Sequence, residues 1–197
     1  MPAAATTPPL DDALLMQRYA SGSEDAFADL YDRHAASTWR FVMRSVRDTA
    51  VADDLTQNIW FAVARTAPTY TYRAKFRTWL FTIAHNAVVD HFRSEKSISL
   101  DAPIAGNSEE PVDDANELVA NSGFGPVRRL ESKEQARAFL AAIEQLPMEQ
   151  REAFLLQVEA GMDLAEIAKA TGVSFETAKS RLRYARSKLR DLLMDFA

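Results

Sequence analysis

The 197 residues are 47% apolar and 26% charged, ordinary values for a globular chain of one domain or two small ones. Zero cysteines exclude a disulfide scaffold, a thiolate zinc site and a cysteine nucleophile, and six glycines with eight prolines are too few for the turns of an all-β fold. The net charge of −5 speaks against a nucleic-acid partner only as an average, because residues 97–127 hold six acids and no base while 179–190 hold six bases and no acid.

Residues 1–10, MPAAATTPPL, are expected to be disordered, and they carry neither the basic nor the apolar region of a secretory signal. Apolar runs reach only six residues, at 59–64 and 138–143, too short to span a bilayer, so a cytoplasmic location is expected. From Ser23 to Arg93 there is no glycine and one proline, Pro68, and the pattern is helical. An early helix carries Phe27, Leu30, Tyr31 and His34. A run from Asp54 places Leu55, Ile59 and Val63 at i, i+4, i+8, one buried stripe. After Pro68, Trp79, Ile83, Ala87 and His91 follow the same spacing, with Leu80, Ala84 and Val88 beside them. Residues 11–96 therefore read as a compact helical domain. Residues 97–126 hold three glycines, three prolines and the acidic run, and read as a flexible linker. From Val127 helical period returns, over 130–145, 149–159, 164–171 and from 175 to the end. The predicted architecture is all-α: two small helical domains joined by a flexible acidic linker, the C-terminal one, 127–197, a helix-turn-helix.

The helix-turn-helix lies between Asp163 and Arg190. Leu164, Ile167 and Ala168 face inward on a short helix. Gly172 supplies a turn that can require left-handed backbone. Val173 plugs the joint, Ser174 caps the next helix, and Ala178 and Leu182 return to the core. On the opposite face Phe175, Glu176, Lys179, Ser180 and Arg183 occupy the first turns, where base edges are read. Arg181, Arg186, Lys188 and Arg190 are better placed for phosphates; about four such contacts give a salt slope of roughly −3.6.

With these residues placed, the sequence resembles the extracytoplasmic-function (ECF) branch of the bacterial sigma-70 factors. The C-terminal resemblance runs through Leu146-Pro147, Arg151, Glu152, Phe154, Leu155, Gly161, Glu166-Ile167-Ala168, Gly172, Thr177, Lys179-Ser180-Arg181-Leu182, Ala185-Arg186 and Leu189. In the N-terminal half it rests on Phe27, Leu30, Tyr31, Arg40 and Phe41, on Asp53-Asp54-Leu55-Thr56-Gln57, and on the block Phe76 to Asn86 with Asp90 and Arg93. The resemblance implies a non-enzymatic factor without cofactor or metal that binds core RNA polymerase, at its clamp coiled coil and flap, and promoter DNA. It implies polymerase contacts at Asp53, Asp54, Gln57 and Asn58. Contacts to the promoter's minus-ten element are implied at Arg73, Lys75, Phe76, Arg77 and Asn86. Contacts to the minus-thirty-five element are implied at Ser174, Phe175, Glu176, Thr177, Lys179, Ser180, Arg181, Arg183 and Arg186. The six aromatics and five Lys/Arg within 70–96 suit the stacking and backbone tracking of single-stranded DNA, although Trp79 and Phe92 have core-like spacing.

Val51 and Asn58 are neutral where the family commonly carries acids. Each missing surface charge pair weakens docking by about 0.2–1 kcal/mol. Thr49 and Thr56 flank this depleted face, and a phosphate there adds about −1.5 to −2 charge. Control by a serine/threonine kinase, or by an anti-sigma protein, is the corresponding expectation. The competing reading is a stand-alone helix-turn-helix regulator. It leaves the aromatic-basic block and the docking helix without a role, and residues 1–95 offer it no receiver or ligand domain.

Overall fold

The structure, a computed structural model, describes residues 11–70, 75–99 and 133–194. Eight α-helices and one 3-10 turn account for nearly all of them: α1 Asp12–Ala20, α2 Glu24–Val46, α3 Thr49–Thr66, the turn Ala67–Thr69, α4 Phe76–Ser99, α5 Lys133–Glu144, α6 Met148–Ala160, α7 Leu164–Thr171 and α8 Phe175–Leu193. The fold is all-α with two helical domains, as its sequence predicts. The linker and the N-terminal ten residues fall outside the described residues, save that α4 continues to Ser99, three residues past the expected boundary.

In the N-terminal half, α2 buries Leu30, His34, Thr38, Phe41 and Ser45, a stripe at helical spacing. Its buried hydroxyls are satisfied within the helix, Thr38 Oγ1 donating to the His34 carbonyl at 2.9 Å and Ser45 Oγ to that of Phe41 at 2.7 Å. Phe41 meets Phe81 of α4 edge-on at 5.5 Å. Asp48 caps α3 by accepting from the Val51 N–H at 3.0 Å, and α3 therefore starts five residues before the expected Asp54. Along α4 the deepest stripe is Phe76, Leu80, Ala84 and Val88, with Trp79, Ile83 and Ala87 half-buried beside it. The ladder through Trp79 is thus the flank of the buried face, and the expected flank is its centre. Helix α1, absent from the sequence reading, buries Leu15 and Met16 against this half.

In the C-terminal half, α6 is buried on nearly every side and packs on α7 and α8, while α5 packs on α8. Gly161 ends α6 in the left-handed region at φ 62°, where a Cβ would be strained. Residues 11–99 and 133–194 are not separate bodies. Their buried apolar side chains form one continuous cluster from Leu15 to Leu189, closed where α6 and α7 lie on α2 and α4.

Candidate nucleic-acid interface

The C-terminal helix pair is built by local chemistry. Asp163 and Glu166 form a capping box at the start of α7, each side chain accepting from the other's backbone N–H, at 2.9 and 3.0 Å. Gly172 leaves the helix at φ 67°. Ser174 caps α8 by accepting from the Thr177 N–H at 3.1 Å, and its hydroxyl meets that of Thr177 at 2.8 Å. Ala178, Leu182, Ala185 and Leu189 are buried, which turns Phe175, Glu176, Thr177, Lys179, Arg183 and Arg186 outward, all exposed. Ser180 and Arg181 are half-buried on the flanks. Phe175 is 48% exposed at the leading end of α8, a large apolar group in water. Glu176 pairs with Lys179 at 3.6 Å, and Arg183 lies over the Tyr184 ring at 4.8 Å. Between α6, α7 and α8 a groove of about 440 Å³ is lined by Lys179, Arg183, Arg186 and Arg190. Gln157 of α6 accepts from Arg186 at 2.6 Å and so aims it; the sequence reading did not single it out.

The expected polymerase face is also open. Asp53, Asp54, Gln57 and Asn58 are all exposed along α3. The first three border a groove of about 610 Å³ between α2 and α3, whose walls include Tyr31, Trp39, Trp60 and Phe61. Phe61 is 63% exposed. The Trp39 indole donates to Asp53 at 2.7 Å, fixing that carboxylate at the groove's rim. Thr49 is exposed in the first turn of α3, but Thr56 is only 8% exposed with its hydroxyl buried. Of the two expected kinase sites, Thr49 therefore stands at the surface and Thr56 holds its hydroxyl inside the fold.

The minus-ten residues are divided by the structure. Arg73 lies outside the described residues, while Lys75 and Asn86 are exposed. Phe76 is not a surface aromatic. It is 2% exposed and packs on His34, Tyr70 and Trp79 at ring separations of 5.3, 6.4 and 5.7 Å. The i+4 series Phe76, Leu80, Ala84, Val88 carries it into the core. Arg77 is half-buried and donates to the Glu159 backbone carbonyl.

What covers this face is a row of acids from the C-terminal half. Glu159, 1% exposed, accepts from Arg40 Nε and Nη2 at 3.1 and 3.0 Å and from Arg44 Nη1 at 2.5 Å. Glu152 meets His85 Nδ1 at 2.5 Å, and Glu166 accepts from Thr78 at 2.9 Å with Lys75 at 4.0 Å. Arg47, in left-handed backbone at φ 64°, reaches the Glu144 carbonyl. Burial lowers the pKa of Arg44 and of Arg77, in both cases against the attraction of Glu159. Burial, helped by nearby Arg47, brings Arg151 down to about 10. The sequence reading placed Arg40 and Glu152 only within the resemblance, and passed over Arg44 and Glu159 as functional groups. The seven-residue spacing of Glu152 and Glu159 on one helix face was the available signal.

Comparison with known proteins agrees with this geometry. Residues 30–98 match the family model "Sigma-70 region 2", and residues 136–189 match "Sigma-70, region 4". The chain is 34% identical over 178 residues to the RNA polymerase sigma factor CarQ of Myxococcus xanthus, covering 90% of this chain and 95% of that one. It is 31% identical over 180 residues to the ECF sigma factor SigK of Mycobacterium ulcerans, covering 91% of each. The fold is shared with CnrH, solved with the cytosolic domain of CnrY (TM-score 0.62, 24% identity, 94% of this chain and 99% of that one). It is shared too with RpoE of Bartonella quintana, solved with the anti-sigma factor NepR (TM-score 0.64, 22% identity, 85% and 96%). Among the described residues, no helix is long and apolar enough to cross a membrane.

Proposed function

The chain belongs to the sigma-70 family of RNA polymerase sigma factors, in its extracytoplasmic-function branch, and from that membership we propose how its surfaces divide the work of initiation. It is a DNA-binding, non-enzymatic initiation factor that works with RNA polymerase at promoters. Three surfaces carry the finer assignment. The α3 face of Asp53, Asp54, Gln57 and Asn58, with the apolar groove behind it, docks on the polymerase clamp coiled coil. Lys75, just ahead of α4, and Asn86 within it, with Arg73 and Arg77, hold the opened minus-ten element. The leading turns of α8 enter the major groove of the minus-thirty-five element, Phe175, Glu176, Lys179, Ser180 and Arg183 toward bases, Ser174, Thr177, Arg181 and Arg186 toward phosphates.

The observation that carries this reading is α8 itself. A capped helix after a left-handed glycine buries Ala178 and Leu182 and leaves Phe175, Lys179 and Arg183 open to solvent. A stand-alone regulator would use that helix too, but has no use for the α3 face and its groove, and is not favoured.

Control fits an anti-sigma protein of the kind seen with the RpoE structure. It also fits a kinase acting at Thr49, where a phosphate would sit on the N-terminal turn of α3 and restore negative charge beside Val51. The test is affinity for purified bacterial core polymerase, wild type against Val51→Asp/Asn58→Glu. Each restored charge should tighten binding about 1.5- to 5-fold. Tight wild-type binding that the acids leave unchanged removes the kinase reading. Failure of both proteins to bind removes the polymerase assignment and returns the stand-alone regulator.

A further inference from the structure

Arg151, in the second turn of α6, is 8% exposed, and its Nη1 is buried without a hydrogen-bond partner among the described residues. A buried guanidinium is ordinarily answered by a carboxylate in contact with it, as Glu159 answers Arg40 and Arg44. For Arg151, the Glu144 carboxylate attracts from nearby but forms no ion pair, while Arg47 repels it. Burial first, and then that repulsion, lower its pKa. Arg47 itself, exposed at the end of α2, gives its Nη2 to the Glu144 backbone carbonyl rather than to a carboxylate. Side chains on a helix lean toward its N-terminus, so Arg151 lies back over the first turn of α6. That turn follows Pro147, which supplies no side-chain cap, and it opens a helix of 13 residues. Two guanidiniums and the uncapped N–H groups of a helix start thus meet at one place. Glu149, the acid of the same turn, is exposed and stands two residues from Arg151, a spacing that puts it on another helix face.

Planar guanidiniums with helix N–H groups beside them match the oxygens of a tetrahedral oxyanion. We propose that Arg47, Arg151 and the first turn of α6 form a binding site for a small phosphate-bearing anion, either inorganic phosphate or the terminal phosphate of a nucleotide. Size decides against nucleic acid. A guanidinium that is 8% exposed is beyond the reach of a phosphate fixed on a duplex, whereas a small ion enters past the exposed Arg47. The site draws on both halves of the chain, Arg47 from α2 and Arg151 from α6, so an anion held there favours the arrangement in which the halves touch. This site is independent of the sigma-factor reading and goes beyond it.

The test is thermal unfolding of the full chain, in phosphate and in chloride at equal ionic strength. With inorganic phosphate about tenfold above its dissociation constant, the wild-type Tm should rise by about 3–6 °C over chloride. Arg151→Met should lose that rise; the general effect of phosphate on a folded chain is common to both proteins and cancels. Arg47→Gln, at the surface, should weaken phosphate binding about 1.5- to 5-fold, read from the phosphate concentration that gives half the shift. A wild type that phosphate shifts no more than it shifts Arg151→Met overturns the site. Should Arg151→Met fail to fold, Arg47→Gln decides, and an unchanged phosphate affinity there overturns the site in its place. Adenosine diphosphate run beside inorganic phosphate separates the two carriers: a larger shift at equal concentration assigns the site to a nucleotide, an equal or smaller one to the free ion.

Discussion

Helices α4 and α8 are built to a similar recipe, an apolar stripe backed by arginines with an aromatic near the leading end, yet they sit in opposite surroundings. The polar face of α8 looks onto water, with Glu176, Tyr184 and Gln157 as local partners. That of α4 looks onto α6 and α7, which answer Arg77, Thr78 and His85 one by one. The recipe tells what each face can bind, whereas occupancy depends on what else in the chain carries the complementary charge. The leading aromatics part company in the same way. Phe175 stands exposed at the leading end of α8, while Phe76 leads the buried series of α4.

The strongest way to break this contrast is to truncate the two aromatics in parallel. Phe76→Ala should lower unfolding free energy by about 3–5 kcal/mol, the cost of emptying a packed core site. Phe175→Ala should leave stability within about 0.5 kcal/mol and instead weaken binding to a minus-thirty-five duplex. Denaturant unfolding of both variants reads the first difference, fluorescence anisotropy with duplex DNA the second. Equal stabilities would mean that Phe76 is a surface residue after all.

A sharper, smaller probe is the α8 cap. Ser174→Ala removes the acceptor for the Thr177 N–H and should cost about 1 kcal/mol, with reduced DNA binding as the leading turn frays. Ser174→Asp restores an acceptor and should recover stability but not DNA affinity, because it sets a negative charge against phosphates. The combination separates helix order from contact.

The smallest expected effect concerns pH. His34, under α1 and Phe76, has its pKa lowered from 6.5 by burial, opposed by Asp12, whose carboxylate lies 2.8 Å from Nε2. The native state keeps this ring neutral, so below pH 6.5 the unfolded chain takes up the proton first. Its contribution is complete above that pH and lost as pH falls. His34→Gln should flatten the stability profile on the acid side, measured as unfolding midpoints across a pH series. An unchanged slope would place the acid sensitivity elsewhere.

The parts legible in the sequence are those decided over a few residues. The left-handed Gly172, the Ser174 cap and the burial of Ala178 and Leu182 are local demands, and each stands where the spacing puts it. Leu55, Ile59 and Val63 likewise lie along one inner face. Phe76 carries two signals at once, its place beside arginines and its i+4 relation to Leu80, Ala84 and Val88, and the second is the one that sets its burial. Helix α1 has nine residues and only two deeply buried large side chains, Leu15 and Met16, too little periodicity to read. The Arg40–Glu159 pair could not be read at all, since its members are 119 positions apart and each resembles an ordinary charge on an amphipathic helix.

The position of the three tryptophans gives the molecule an optical use. Trp39 and Trp60 line the α2–α3 groove, the first with its indole N–H tied to Asp53, while Trp79 lies away from it against Tyr70 and Phe76. Replacing Trp79 with phenylalanine leaves two emitters, both at the groove. Intrinsic fluorescence then reports occupation of that groove directly, in an unlabelled protein and on the time scale of mixing.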